Sequence, residues 1–178
     1  MSRALRQSTA LMACATATDY LSFTGTAITT MSDLVYILNG PNLNMLGKRE
    51  PHLYGHTTLA EIETTVRSVA AQLELRCEFR QTNSEATMID WLQEAFEAGA
   101  GVILNPAGFS FRSIPVLDAT KLIERPLIEV HITNIHKRDE IYRHSLISSV
   151  ATGVICGLGV QCYPLALHAM AGMLKTER

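Results

Sequence analysis

The chain has 178 residues, 47% hydrophobic and 18% charged, with a formal net charge of -2. That length suits one domain able to bury its own core. The near-neutral balance excludes the basic footprint of a nucleic-acid partner and offers nothing to an anionic membrane, and no apolar run approaches the roughly 20 residues of a membrane span. Cys14, Cys77, Cys156 and Cys162 lack metal-ligand spacing and read as free thiols of a reducing compartment, pointing to the cytoplasm.

Residues 1–31 are rich in Ser, Thr and Ala and carry Arg3 and Arg6 against the acid Asp19. They show neither an apolar h-region with a cleavage site nor a clean amphipathic face. We read them as an extension, an upstream-start artefact or a disordered tail, ahead of a single domain over 32–178. The first strand is expected at Leu34–Leu38, an unbroken apolar run. Asn39 to Gly55 follows, a Gly-, Pro- and Asn-rich connection longer than a strand-to-helix turn needs. It carries Lys48, Arg49, Glu50, His52 and Tyr54, groups that bind charge or move protons, and is read as an active-site loop.

Thr58 with Glu61 forms a capping box opening a helix whose apolar face runs through Leu59, Ile62, Val66, Val69 and Leu73. Leu75 to Gln81 alternates apolar and polar residues, as an edge strand with one wet face does. Ser84 caps a second helix closed by Gly99, Gly101–Leu104 is a short buried strand, and Ser113 caps a third helix with Pro115 in its first turn. Leu127–His131 is a fourth strand, Val150–Leu158 a fifth, and Val160–Leu174 a closing helix. This alternation predicts a flavodoxin-like, three-layer α/β/α fold with a five-stranded parallel sheet. Ligands of such sheets bind beyond the carboxyl ends of the strands, where Asn39, Asn42, Asn105, Glu129 and His131 fall.

Glu129 and His131 stand two apart on a strand and so share a face. A carboxylate on one ring nitrogen fixes the tautomer and leaves the other free to move a proton; a satisfied buried histidine is the plain alternative. Tyr54 lies five residues after Arg49, whose guanidinium favours phenolate and suits the tyrosine to act as a base, although a lone loop tyrosine packs more often than it catalyses. Asn42 and Asn105 can bind hydroxyl, carbonyl or carboxylate groups, or hold turns. Gly157-Leu158-Gly159 lacks the full glycine fingerprint of a phosphate loop. His136 to Glu140 reads as a solvated face or a subunit contact, and no cluster has metal spacing.

Asn39-Gly-Pro-Asn-Leu, Gly47-x-Arg49-Glu-Pro-x-x-Tyr54-Gly, Asn83-Ser-Glu85, Asn105-Pro106, Ile128-Glu-Val-His-Ile-Thr-Asn134-Ile-His136-x-Arg138 and Ala151-Thr-Gly-Val-Ile-Cys-Gly-Leu-Gly159 together resemble type II 3-dehydroquinate dehydratase, in that family's order and spacing. The resemblance runs from about Val35 to the last helix. It implies removal of water from 3-dehydroquinate to give 3-dehydroshikimate through an enolate, with no metal and no cofactor. It implies Tyr54 as the base, Arg49 as the group keeping it ionised, Asn42 as a stabiliser of the enolate through a water, His131 as the acid and Glu129 as its orienting carboxylate. Asn105 and the Ile132–Thr133 backbone match substrate contacts, and Asp118 an acid reaching a neighbouring subunit's site. The family's assembly, a dodecamer built as a tetramer of trimers, is implied as well, with the Asn42–Tyr54 loop as a lid.

Two positions depart from the pattern. Phe111 stands where the family has a substrate-binding histidine, and Tyr142 where it has a substrate-contacting arginine, with Arg112 and Arg143 beside them as candidates to compensate. A paralogue acting on a different cyclic hydroxy-ketone is therefore the alternative. A non-catalytic ligand-binding member and a flavin-binding electron carrier of the same fold are others, the last resting on fold alone.

Overall fold

A computed structural model describes residues 32–48 and 55–176. The expectations for the extension and for Cys14, Arg49 and Tyr54 fall outside the described residues. Strand β1 (Leu34–Asn39) is buried along its length past Leu34, as its apolar run requires. Helix α1 (Leu59–Gln72) begins on the expected capping box: Thr58 Oγ1 accepts from the Glu61 amide at 3.3 Å and Glu61 Oε2 accepts from the Thr58 amide at 2.7 Å. It delivers the chain to β2 (Arg76–Gln81), an edge strand with alternating exposure.

Ser84 caps α2 (Glu85–Glu97). That helix stops where Gly99 adopts φ +57°, with Gly99 N–H on Phe96 O and Ala100 N–H on Ala95 O satisfying the last carbonyls. Strand β3 (Gly101–Asn105) follows, then α3 (Ile114–Thr120), capped by Ser113 on the Val116 amide and with Pro115 in its first turn. β4 (Leu127–His131) is buried throughout. β5 is shorter than its apolar run suggests, Gly153–Cys156. Before it, the amides of Val150 and Ala151 close a turn on Ile147 O, and after it Gly157 leaves the strand at φ +85°. A 3-10 turn over Gly159–Gln161 delays the last helix, α4, to Cys162–Thr176.

All pairings are parallel and the strand order is β2-β1-β3-β4-β5, the doubly wound, flavodoxin-like order with its switch point between β1 and β3. Strand alternation divides the core into two layers. Val35, Ile37, Ile103, Ile128 and Val130 pack against α1 and α4, through Val66, Ala70, Leu167 and Met170 among others. Tyr36, Leu38, Val102, Leu104 and Leu127 pack against α2 and α3, through Met88, Leu92, Val116 and Ala119. Among the described residues no helix is long and apolar enough to cross a membrane.

The switch point is drawn tight at Gly40. Its amide donates to Asn105 O at 2.8 Å, and a Cβ there would meet the Pro106 carbonyl oxygen at 2.3 Å. That neighbour is backbone and cannot swing away. Gly40→Ala is therefore expected to cost at least about 1–3 kcal/mol as an overpacked site does, measured as a lower urea midpoint with an unchanged slope.

Candidate active site

A cleft of about 240 Å³ opens at the carboxyl ends of the strands. Pro41, Asn42, Leu43 and Leu46 line it from the loop after β1; Asn105, Ala107, Gly108 and Phe111 from the segment after β3. His131, Ile132, Thr133 and Ile135 line it from the end of β4, and Arg138 and Tyr142 from the segment beyond. Asn42, Asn105, His131, Ile132 and Thr133, singled out from separate parts of the sequence, thus share one wall system. Glu129 lies behind it.

His131 is 5% exposed and Glu129 is 0% exposed. His131 Nε2 is 2.7 Å from Glu129 Oε1, so an ionised carboxylate there requires the proton on Nε2 and leaves Nδ1 as the ring's other polar atom. Glu129 is held by more than the imidazole. Ser145 Oγ donates to Oε1 at 2.5 Å and Ser148 Oγ donates to Oε2. Burial alone would push the Glu129 carboxyl up, but the hydrogen bonds from His131, Ser145 and Ser148 outweigh it and hold it below its ordinary value. Charge is stored at the base of the cleft in the form of an anion with its acceptors filled. The serines carry no signal in the sequence; they lie in a segment with no regular period, past the charged run.

Asn105 is 3% exposed. Its Nδ2 donates to the Tyr163 hydroxyl at 2.8 Å, and that hydroxyl donates to Asn39 Oδ1 at 2.7 Å. Asn39, placed in the crevice by its position after β1, is instead fully buried beneath it, its Nδ2 donating to Arg80 O at 3.0 Å. An inward side chain at the last position of β1 faces α4, and Tyr163 covers it. Tyr163 lies inside the apolar closing helix, and the one sign it carries in the sequence is that a buried phenol needs a polar partner.

Asn42 takes a left-handed conformation, φ 66°, and its amide donates to Asn83 Oδ1 at 2.9 Å, anchoring the start of the long loop to the chain after β2. Past β4, the Gly157 amide donates to His131 O at 3.1 Å and the Gly159 amide to Ile132 O at 3.0 Å. Those glycines hold the wall that carries His131, and their amides are already committed. A Cβ at Gly157 would meet Asn134 Cβ at 2.8 Å, on a backbone that already favours glycine.

Phe111 stacks on His131 with centroids 6.4 Å apart at 27°, and meets Tyr142 edge-on at 5.4 Å and 77°. The Arg138 guanidinium lies 4.2 Å from the Tyr142 ring centroid. The run His136 to Glu140 is thus not wholly a solvated face, since Arg138 lines the cleft. Neither Arg112 nor Arg143 lines it; Arg143 Nε donates to Arg138 O at 2.7 Å and its Nη1 pairs with Glu140 at 3.1 Å. Asp118 is not part of the lining of this cleft; its side chain is 79% exposed and 3.4 Å from Lys121 Nζ. Among the described residues no three His, Cys, Asp or Glu side chains gather as a metal site.

Comparison with known proteins gives one consistent picture. The model of the family described as dehydroquinase class II matches residues 33–171. The chain is 48% identical over 147 residues to the 3-dehydroquinate dehydratase of Brucella canis, covering 83% of this chain and 94% of that protein. It is 49% identical over 140 residues to 3-dehydroquinate dehydratase 1 of Agrobacterium fabrum, covering 79% and 97%. The crystal structure of type II dehydroquinase from Propionibacterium acnes superposes with a TM-score of 0.78 at 42% identity, covering 80% of this chain and 98% of that one.

Because the folded pKa of Glu129 is depressed, its carboxylate contributes stability that is present above the ordinary carboxylate range and lost as pH falls through the lower folded value. Ser148→Ala removes a donor and raises that folded value. The acid limb of melting temperature against pH is expected to begin at higher pH than in the unaltered protein. At neutral pH the loss should be about 1.5–3 kcal/mol, as for a hydrogen bond to a charged group, measured by thermal unfolding across a pH series.

Proposed function

The chain belongs to the class II dehydroquinase family, and on that premise we propose that it dehydrates 3-dehydroquinate to 3-dehydroshikimate in the shikimate or quinate pathway, without metal or cofactor, as a cytoplasmic homo-oligomer. The observation that carries this is the buried Glu129–His131 pair at the wall of the cleft. A carboxylate that holds Nε2 fixes which nitrogen is left to serve substrate, and its negative charge offsets the positive charge of a ring protonated at Nδ1. That is the arrangement of a general acid.

In this reading Tyr54, kept as phenolate by Arg49, removes a proton from the carbon beside the ketone. The electron pair passes into the carbonyl to form an enolate, which Asn42 helps to stabilise through a water. The enolate then collapses, the carbon–oxygen bond of the β-hydroxyl breaks, and His131 gives its Nδ1 proton to the leaving oxygen, releasing water and a conjugated enone. Asn105 and the Ile132–Thr133 backbone hold the substrate, and Asp118 serves a neighbouring subunit's site in a dodecamer of four trimers. The exposure of the Asp118 side chain suits that role.

One observation favours a second reading. Phe111 and Tyr142 fill the substrate-anchoring side with an aromatic corner in place of a histidine and an arginine. A dehydratase of the same machinery acting on a differently substituted cyclic hydroxy-ketone would need such a change.

Purified protein mixed with 3-dehydroquinate is expected to develop the ultraviolet absorbance of the enone, and Tyr54→Phe to abolish it; a folded oligomer that leaves the substrate untouched rules out 3-dehydroquinate and favours the second reading. Restoring Phe111→His together with Tyr142→Arg is expected to lower KM by about tenfold or more, since a hydrogen bond to a charged group contributes roughly 1.5–3 kcal/mol. An unchanged or higher KM in steady-state assays counts against that anchoring account.

A further inference from the structure

Tyr163 plays no part in the chemistry above, yet its hydroxyl is wedged between two asparagines at the switch point. It stands in the first turn of α4, 1% exposed. The orientation of every group around it can be worked out from one backbone carbonyl. Arg80 O can only accept, so the Asn39 amide must turn Nδ2 toward it, at 3.0 Å, and Oδ1 toward Tyr163. Facing an acceptor at 2.7 Å, Tyr163 must donate its single proton there. Burial pushes the phenol pKa well up, so that proton stays in place. The phenol oxygen is then left to accept, and it takes an N–H from Asn105 at 2.8 Å. Asn105 lines the cleft, and among the described residues nothing bonds to its Oδ1.

We propose that Tyr163 is a positioning residue that fixes the amide of Asn105 with Oδ1 as its free acceptor toward the cleft, so that the site selects a substrate hydroxyl at that point. The selection rests on the hydroxylated-ring substrate proposed above. A substrate carbonyl or ether oxygen at the same place would set two acceptors against each other, and a site built to bond a hydroxyl rejects an analogue without one far more strongly than an apolar wall does. Without the phenol hydroxyl, Asn105 can turn over and offer either end.

Tyr163→Phe keeps the ring and removes the hydroxyl. KM for 3-dehydroquinate is expected to rise about tenfold with kcat changed by less than about twofold, the pattern of lost ground-state binding. On an Asn105→Ala background the same change is expected to raise KM by less than about twofold, because residues acting through one another are not additive. A tenfold effect on both backgrounds, or a fall in thermal stability with KM unmoved, overturns the proposal. Neutron diffraction from deuterium-exchanged, unaltered protein reads the orientation without any variant. Deuterium on Asn105 Nδ2 directed at the Tyr163 oxygen is the expected result, and Oδ1 in that position overturns the proposal. If the unaltered protein does not turn over 3-dehydroquinate, the activity reading fails by itself and the diffraction result still decides the orientation.

Discussion

A carboxylate with no exposed surface at the end of an apolar strand is the constraint around which the cleft is arranged. Left unpaired, Glu129 would have to take up a proton or unfold its surroundings, since an isolated buried charge costs far more than a domain's net stability. Three donors prevent this, from His131, Ser145 and Ser148, and each comes from a different place in the chain after Leu127. The segment between β4 and β5 is therefore fixed to the sheet by a polar network as well as by Ile147, which is fully buried against the α2 and α3 layer. A network with every member satisfied is rigid, and a partly satisfied one is worse than an apolar core. The same contacts that make the charge tolerable hold the imidazole still.

Strand alternation sends the two halves of the site to opposite layers. Glu129 and His131 share the face of Leu127, which packs on α2 and α3, whereas Asn39 and Asn105 share the face of Ile37 and Ile103, under α4. Only beyond the carboxyl edge of the sheet can side chains from both faces meet. The in-register pairing of Asn39 with Asn105 and the close approach of Gly40 to Pro106 bring the β1 and β3 loops together at that edge. The cleft is a product of topology: its lining comes from the ends of β3 and β4 and from the loops that follow β1, β3 and β4.

How much of this the sequence discloses depends on the range of the interaction that decides it. Caps are local, so Thr58, Ser84, Ser113 and Gly99 mark helix ends within a residue. The parallel sheet follows from unbroken apolar runs between capped helices. The Glu129–His131 bond is readable because a strand's period places residues two apart on one side. β5 is shorter than its apolar run because Val150 and Leu158 continue the pattern while turns on Ile147 and at Gly157 cut the strand short. Asn39 lies under α4 and not in the crevice: a sequence tells that a polar residue ends a strand, not which layer covers it. Ser145, Ser148 and Tyr163 matter through contacts with residues far along the chain, and such contacts leave no periodic trace.

The buried charge network and the aromatic corner of the cleft are physically separable. Glu129 and His131 are tied to a buried network whose disruption would leave an uncompensated charge, so substitution there carries a cost in folding. Phe111 and Tyr142 meet His131, Arg138 and each other through ring faces and edges, and neither side chain makes a hydrogen bond among the described residues. Substitution at those two positions leaves the hydrogen bonds to Glu129 in place and alters the lining of the cleft. The rings also commit Arg138, whose guanidinium rests over Tyr142 and has no carboxylate partner among the described residues. Cation and ring attract by about 0.5–1 kcal/mol when exposed, little enough for an anion to draw the guanidinium away. That side of the cleft thus combines an apolar wall with a cation held by a ring face and by no carboxylate among the described residues.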